Sequence, residues 1–517
     1  RKLLKIYVIE NYHNEIEDDL RKSKEDSDFI LRNPVLIEKK TRETLKETMQ
    51  QNYAFISEEM QRSDWFSVYI NSFVSQYDPN TSYLDPESKD RFDVDMSGNY
   101  AGIGARLQKK IDKVEITEVI SGGPAWRDNI LEKGDAILKV RQDKEDEPVG
   151  ILNMRLSEAV KLIKGKKGTK VHLTVKKVDG TVTEVTVKRD IVLLEETYIK
   201  SSIVEKDNNT YGLINIPKFY IDFDNQSNRD AAKDLRTEIE RLKEQGIQGL
   251  VIDLRNNGGG ALKTVVDMAG MFIKNGPVVQ VKYFDKEKQV LSDRDRSVLW
   301  TGPLVILVNE GSASASEILA AAMQDYKRAI IIGGNQTWGK GTVQNVFPLN
   351  RMVRGNTNGD LGALRYTTQK YYRINGGSVQ LEGVKSDINV PYRYKYLEFG
   401  EKDSENPLQW DEIDKVEFDT WNSNFNFEEA ITKSNKRMAN NEYLKLVDEN
   451  AKWIKSVRDN KLINLNYDKF KLELEENSSI TEKFKALNDY SMNYSFKSLP
   501  YEIDLIKNDS VLGLKRE

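Results

Sequence analysis

A serine hydroxyl becomes a nucleophile only when a nearby base takes its proton, and that base is most often histidine. This chain of 517 residues has two histidines and no cysteine. His13 lies in a charged stretch, and His172 lies in Val171-His172-Leu173-Thr174-Val175, whose alternation marks a strand. Both read as structural. Cysteine nucleophiles are excluded, as are thiolate or multi-histidine zinc sites. What the chain offers instead is a serine run, Gly311-Ser312-Ala313-Ser314-Ala315-Ser316-Glu317-Ile318, followed by a lone lysine in Trp338-Gly339-Lys340-Gly341-Thr342-Val343-Gln344. The pair suits a serine nucleophile served by a lysine base.

Each part must be positioned. The apolar run Leu304 to Val308 predicts a buried strand, and Glu317 to Met323 is strongly helix-forming, so the serines sit at a helix N-terminus. There the unpaired N–H groups and the positive end of the helix dipole favour an oxyanion. The spacing Ser314-Ala315-Ser316-Glu317 also fits a capping box, in which Ser314 only caps the helix. Lys340 follows a predicted strand, Ala329 to Ile332, and its glycine neighbours let another segment approach closely. As a base it must be neutral, which demands burial; the alternative is a solvated loop charge. Gln344, four residues on, can orient the amine if the turn brings it back, or can be an ordinary strand residue.

A third element is Asp253-Leu254-Arg255-Asn256-Asn257-Gly258-Gly259-Gly260-Ala261-Leu262, a buried strand emptying into a glycine-rich turn. Such turns can aim N–H groups at a developing oxyanion, or can simply connect strand to helix. Gly334 to Thr342 approaches a phosphate-loop pattern, but Gly341 stands where the magnesium-binding hydroxyl belongs and a strand pattern follows. Nucleotide hydrolysis is set aside.

The length favours about three domains. Charged residues make up 31% of the chain, yet 78 basic and 82 acidic side chains leave a net charge of -4, which gives no nucleic-acid surface. No apolar run approaches the roughly 18 residues of a membrane span. The chain starts at Arg1 rather than methionine, which leaves room for an export signal or lipid anchor that has been removed. Residues 1–96 read as a helical domain, with Leu45, Met49, Tyr53, Ile56 and Met60 marking one buried face. Residues 97–190 read as short strands with a helix near Leu156 to Ile163. Residues 191–395 alternate strands and helices. Residues 396–517 read as charged and helical, with Tyr443, Val447, Ile454 and Val457 as a buried stripe.

In the second block, Tyr100-Ala101-Gly102-Ile103-Gly104-Ala105, Gly122-Gly123-Pro124-Ala125, Leu131 to Ile137 and Leu162 to Gly165 occur in an order that resembles a bacterial PDZ domain. The resemblance implies that the loop Gly102, Ile103, Gly104 and Ala105 takes a peptide C-terminus while the peptide pairs with a strand edge. Together with the serine run, the Gly-Lys-Gly-Thr-Val-Gln run, the Asp-Leu-Arg-Asn-Asn-Gly-Gly-Gly turn and Tyr77-Asp78-Pro79 with Thr81 to Leu84, the chain is similar to the C-terminal processing peptidases, in particular their long, tail-specific members, over about residues 30 to 395. That implies an α/β protease core of the ClpP/crotonase-like kind, with layered sheet and helices, a PDZ domain and flanking helical domains. It implies Ser314 as nucleophile, Lys340 as general base, Gln344 as the residue orienting it, and an oxyanion hole from Ala315 with Gly259 or Gly260. No metal or cofactor is implied. Implied partners are proteins with apolar C-terminal tails and a lipoprotein adaptor of helical repeats; the implied location is the periplasm or cell envelope of a Gram-negative bacterium. The competing expectation is a catalytically silent PDZ scaffold that binds C-termini.

Overall fold

The structure, a computed structural model, describes residues 1–110, 113–222, 229–283, 286–357, 359–422, 425–489 and 494–508. The chain forms two compact units, one of residues 1–73, 391–398 and 433–492, the other of residues 74–390, 399–432 and 493–517.

In the first unit the helices Lys2–Glu25 and Pro34–Ala54 lie against each other, and Asn33 caps the second by accepting the Val35 N–H. The expected face through Leu45, Met49, Tyr53, Ile56 and Met60 is not buried: Met49, Tyr53 and Ile56 are 45%, 73% and 48% exposed. The buried residues of Pro34–Ala54 are Ile37 and Thr41, two turns earlier, and beyond Ala54 the backbone loosens into a π-turn over Phe55–Glu59, so the stripe leaves the contact. The C-terminal part of the chain contributes Glu442–Asp459 and Tyr467–Glu482 to the same unit. Tyr12 packs edge-on against Tyr467 at 4.9 Å, and His13 against Phe470 at 6.0 Å. In Glu442–Asp459 the buried residues are Asn450 and Ala451, whereas Val457 of the expected stripe is exposed.

The second unit holds two modules. In the smaller one, strands Ala105–Lys110, Lys113–Val119, Ala136–Gln142, Lys170–Lys176 and Val182–Lys188 make an antiparallel sheet in that order, covered by the helix Leu156–Ile163 over a core that includes Ile116, Ile137, Leu173 and Val187. His172 is structural as expected, its Nδ1 2.8 Å from Thr186 Oγ1. The module joins the rest through a two-stranded ribbon, Asn99–Gly102 against Asp190–Leu193.

The larger module is built on a seven-stranded sheet. Its strands Ile388–Asn389, Ile330–Gly333, Leu304–Val308, Gly249–Asp253 and Asn209–Asn215 are parallel neighbours in that order, while Lys200–Lys206 and Ser495–Lys497 extend it antiparallel. Ile252, Ile306 and Ile331 are fully buried, as the continuous apolar runs of a covered parallel sheet require. Helices Leu262–Gly270 and Ala315–Asp325 also meet a second, antiparallel sheet of Ser82–Leu84, Ala363–Tyr372, Gly276–Tyr283, Gln289–Asp293 and Thr342–Pro348. The result is sheet, helix layer and sheet, with flanking helices elsewhere.

The order of the parallel strands decides where chemistry can occur. Gly249–Asp253, Leu304–Val308 and Ile330–Gly333 are adjacent and point the same way, so the loops leaving their carboxyl ends meet at one edge of the sheet. Those loops are the glycine turn, the serine run and the segment leading to Lys340.

Candidate active site

The three serines of the run have different surroundings. Ser312 is fully buried and donates its hydroxyl to the Leu254 carbonyl at 2.8 Å. Ser316 is fully buried and donates to the Asn257 carbonyl at 2.8 Å. Both hydroxyls hold the serine run onto the turn after Gly249–Asp253. Ser314 remains partly exposed and sits at φ 56° and ψ −113° immediately before the helix Ala315–Asp325. A non-glycine residue at positive φ is strained by about 1–3 kcal/mol, and such strain gathers where a sharp strand-to-helix turn presents a side chain.

Glu317 joins this turn to the lysine. The carboxylate is fully buried; its Oε2 accepts the Ser314 N–H at 2.7 Å and the Lys340 N–H at 3.0 Å, and its Oε1 accepts the Gly339 N–H at 2.8 Å and the Thr337 hydroxyl at 2.6 Å. One oxygen therefore brackets the backbones of Ser314 and Lys340. Tyr371 adds a second bracket: its hydroxyl lies 3.1 Å from the Ser314 carbonyl and 2.5 Å from the Lys340 carbonyl. Burial pushes the Glu317 carboxyl up to about 7, against four hydrogen bonds that favour its charged form.

The glycines beside Lys340 are used as the sequence suggests. A Cβ on Gly339, at φ 92°, would come within 2.9 Å of the Leu381 backbone, and one on Gly341 within 2.9 Å of Gln380. The Gly341 N–H donates to Gln380 Oε1 at 2.8 Å. Among the described residues no hydrogen bond or ion pair engages the Lys340 amine. Burial first, then the charge of Arg365, lowers its pKa to about 8 against the opposing pull of Glu401, Glu317 and Asp78. Gln344 is placed differently. Its amide donates to Thr342 Oγ1 at 2.9 Å and Thr367 Oγ1 at 3.1 Å, and the Thr367 hydroxyl donates to Asp78 at 2.9 Å. Gln344 thus belongs to a polar row beside Lys340, with no hydrogen bond between the two residues.

Gly259, at φ 105°, lies so close to the serine turn that a Cβ would meet Ser314 Cβ at 2.8 Å and the Ala315 nitrogen at 3.1 Å. Its N–H is already given to Asn257 Oδ1 at 2.8 Å. Gly260, at φ 148°, pairs with Phe219, and a Cβ there would fall 2.2 Å from the Phe219 carbonyl oxygen. The N–H groups of Gly260 and Ala315 have no partner among the described residues, so of the two turn glycines Gly260 has the free donor.

In the smaller module, the Ile103 carbonyl accepts the Ala125 N–H and the Gly104 carbonyl the Ile120 N–H, while the N–H groups of Ile103 and Gly104 are unpartnered among the described residues. Gly104 needs its positive φ of 79° to fold back on Gly123. Gly102 ends one strand of the ribbon, and Ala105 begins a sheet-edge strand that lies beside the helix Leu156–Ile163.

Sequence reasoning reached Ser314, Lys340, Gln344 and the glycines but read Glu317 only as a capping residue, and it gave no role to Asn257, Thr337, Arg365, Tyr371 or Glu401. The signal for Glu317 was its place three residues after Ser314. The others carry no local signal, because they reach the site through tertiary packing.

Residues 210–390 match the family model of peptidase family S41, and residues 93–176 that of the PDZ domain. Residues 1–87 match the tail specific protease N-terminal domain, and residues 394–517 the C-terminal domain of tail specific protease. The chain is 37% identical over 454 residues to the tail-specific protease of Haemophilus influenzae, covering 86% of this chain and 63% of that protein. It is 33% identical over 315 residues to the carboxy-terminal processing protease CtpA of Bacillus subtilis, covering 60% of this chain and 61% of that protein. The chain therefore spans under two thirds of the length of these relatives. A crystal structure of the PDZ domain of a carboxy-terminal protease from Vibrio cholerae, in complex with peptide, is 41% identical over 18% of this chain and 97% of that one, with a TM-score of 0.17.

Proposed function

From the chain's membership of peptidase family S41, the family of C-terminal processing proteases, we infer that it is a serine endopeptidase working through Ser314 and Lys340 on proteins chosen by their C-terminal tails. The observation that carries this reading is the shared Glu317 oxygen, which holds the strained Ser314 turn and the backbone of a half-buried, unpaired lysine together. In the neutral form Lys340 accepts the Ser314 proton, and Ser314 attacks a peptide carbonyl. The free N–H groups of Ala315 and Gly260 receive the oxyanion, aided by the positive end of the helix Ala315–Asp325. The protonated lysine then protonates the leaving amine, and water, deprotonated by Lys340, releases the acyl group. Gln344 acts at one remove, by fixing the row of Thr342 and Thr367 beside the base.

The division into an N-terminal helical domain over 1–96, a PDZ domain over 97–190, a protease core over 191–395 and a C-terminal helical domain over 396–517 belongs to the same reading. So does capture of apolar tails at Gly102 to Ala105, where the unpartnered N–H groups of Ile103 and Gly104 suit a terminal carboxylate. Work in the cell envelope of a Gram-negative bacterium, with or without a lipoprotein adaptor, rests on the family alone. No helix among the described residues is long and apolar enough to cross a membrane. The silent-scaffold reading draws no support from any feature of the site.

A serine-reactive fluorophosphonate tests the chemistry without a known substrate. Labelling at Ser314 should rise with pH through about 8 as Lys340 loses its proton, and vanish in Lys340→Ala. Labelling that ignores both pH and Lys340 would overturn the reading.

A further inference from the structure

The parallel ladder between Gly249–Asp253 and Leu304–Val308 ends one rung early. Its last backbone bond runs from the Leu254 N–H to the Leu307 carbonyl at 2.9 Å. Rungs of a parallel pair recur at every second residue, so the next would join the Asn256 N–H to the Asn309 carbonyl. That carbonyl accepts the Ser312 N–H instead, at 2.9 Å, in the turn that opens the serine run. The Asn309 side chain supplies the rung: its Oδ1 accepts the Asn256 N–H at 2.8 Å and the Gly311 N–H at 3.1 Å, and its Nδ2 donates to Asn256 Oδ1 at 2.8 Å.

Both loops turn away from this amide pair. Asn256 sits at φ 60°, a left-handed conformation that asparagine tolerates better than most residues. Beyond that reversal the Asn257 carbonyl accepts the Ala313 N–H at 2.9 Å and the Ser316 hydroxyl at 2.8 Å, and Gly259 comes against Ser314. On the other loop Gly311 lies so near that a Cβ would stand 2.9 Å from Asn256 Oδ1. The Asn309 N–H donates to Ser312 Oγ at 3.0 Å, and that hydroxyl donates to the Leu254 carbonyl. The two free oxyanion donors sit on different loops, Gly260 four residues after Asn256 and Ala315 six after Asn309. Their separation therefore depends on how the loops are joined where they begin. Asn256 is exposed and Asn309 half-buried, so the pair adds little to the core; what it fixes is direction.

We propose that Asn309 is a positioning residue for the oxyanion hole, acting through Asn256 to hold the left-handed turn that sets the Gly260 N–H against Ser314 and the Ala315 N–H. The inference deepens the assignment of Ser314 as nucleophile and of Gly260 and Ala315 as oxyanion donors, and it rests on that reading. Asn309 touches neither substrate nor Ser314.

The test compares a short peptide aldehyde ending in alaninal with the corresponding peptide alcohol, by titration calorimetry on the whole chain. Ser314 Oγ bonds to the aldehyde carbon, its proton passes to Lys340, and the former carbonyl oxygen becomes an oxyanion between the two N–H groups; the alcohol cannot form this adduct. The preference for aldehyde over alcohol thus reads the hole apart from peptide binding. Asn309→Ala should lower that preference roughly tenfold, less than outright loss of a donor, with alcohol affinity unchanged. Asn309→Asp should recover most of it, because a carboxylate still accepts from Asn256 and Gly311 and the Asn256 amide can turn over to donate. A wild-type preference in Asn309→Ala would overturn the proposal. So would a loss shared equally by aldehyde and alcohol, or an Asn309→Asp no better than Asn309→Ala. If Asn309→Ala does not fold, Asn256→Ala is read in its place: it removes the Oδ1 partner and sets a residue less tolerant of φ 60° at the turn, and a wild-type preference there is the contrary result. A preference absent from the wild type, or surviving in Ser314→Ala, would defeat the nucleophile assignment itself. A preference lost in Ser314→Ala but unmoved in Asn309→Ala would defeat this inference alone.

Discussion

Ser314 holds an unfavourable backbone because everything around it is fixed. Ser312 and Ser316 tie the run to the carbonyls of Leu254 and Asn257, Glu317 accepts the Ser314 N–H, and Gly259 closes over the turn without a side chain. Glu317 is the residue on which both halves of the site depend. Glu317→Gln replaces one acceptor oxygen with an NH2 group that faces two donors, so at least one N–H of Ser314, Gly339 or Lys340, or the Thr337 hydroxyl, loses its partner. We expect kcat to fall roughly 10- to 100-fold with KM little changed, because each orphaned buried donor costs about 1–3 kcal/mol of the geometry. Steady-state kinetics decides, and a wild-type kcat would contradict the role. The sign of the pH effect agrees: below about 7 the Glu317 carboxyl gains a proton and ceases to be acceptor-only, and Lys340 is protonated below about 8, so both changes remove activity toward acid. Ser314 and Lys340 were legible because one stands at a helix start and the other between glycines, and Gln344 only through its place four residues after the lysine. Tyr371 and Arg365 were not, since a tyrosine and an arginine on an amphipathic strand look the same wherever the strand packs.

Elements place these residues by simple rules. Three adjacent parallel strands end at one edge, and their apolar runs announced them: Gly249–Asp253, Leu304–Val308 and Ile330–Gly333 lie within a residue or two of the runs read from sequence. The helix Leu156–Ile163 was also legible, through its amphipathic period. The face through Met49, Tyr53 and Ile56 was misread, because a three-to-four spacing shows that one helix side is apolar but not that anything covers it. Strand Ser495–Lys497 was missed because its three residues carry no period, only a neighbour in Lys200–Lys206. The smaller module offers a prediction of its own. Its entry and exit are paired strands, so replacing residues 104–189 with a short glycine-serine linker leaves the ribbon Asn99–Gly102 and Asp190–Leu193 closed. Such a chain should still be acylated at Ser314 yet lose preference for substrates by their tails. Unchanged rate and tail preference in a degradation assay would sink the assignment of tail capture to this module.

At the scale of the molecule, sequence distance conceals the composition of the first unit, which takes helices from both ends of the chain. Phe470 is 8% exposed and packs against His13, so Phe470→Ala should lower stability by about 3 kcal/mol in denaturant unfolding. A change under about 0.5 kcal/mol would show that the two ends do not share a core. Nothing local in either sequence segment predicts the other, which is why composition and helical period gave two helical stretches and no relation between them. The central claim concerns the second unit and its dyad. The most direct measurement is degradation of an unfolded protein ending in small apolar residues by the wild-type chain, Ser314→Ala and Lys340→Ala, with circular dichroism to confirm that all three fold. The account predicts degradation by the wild type and none by either variant; degradation that survives in Lys340→Ala would contradict it.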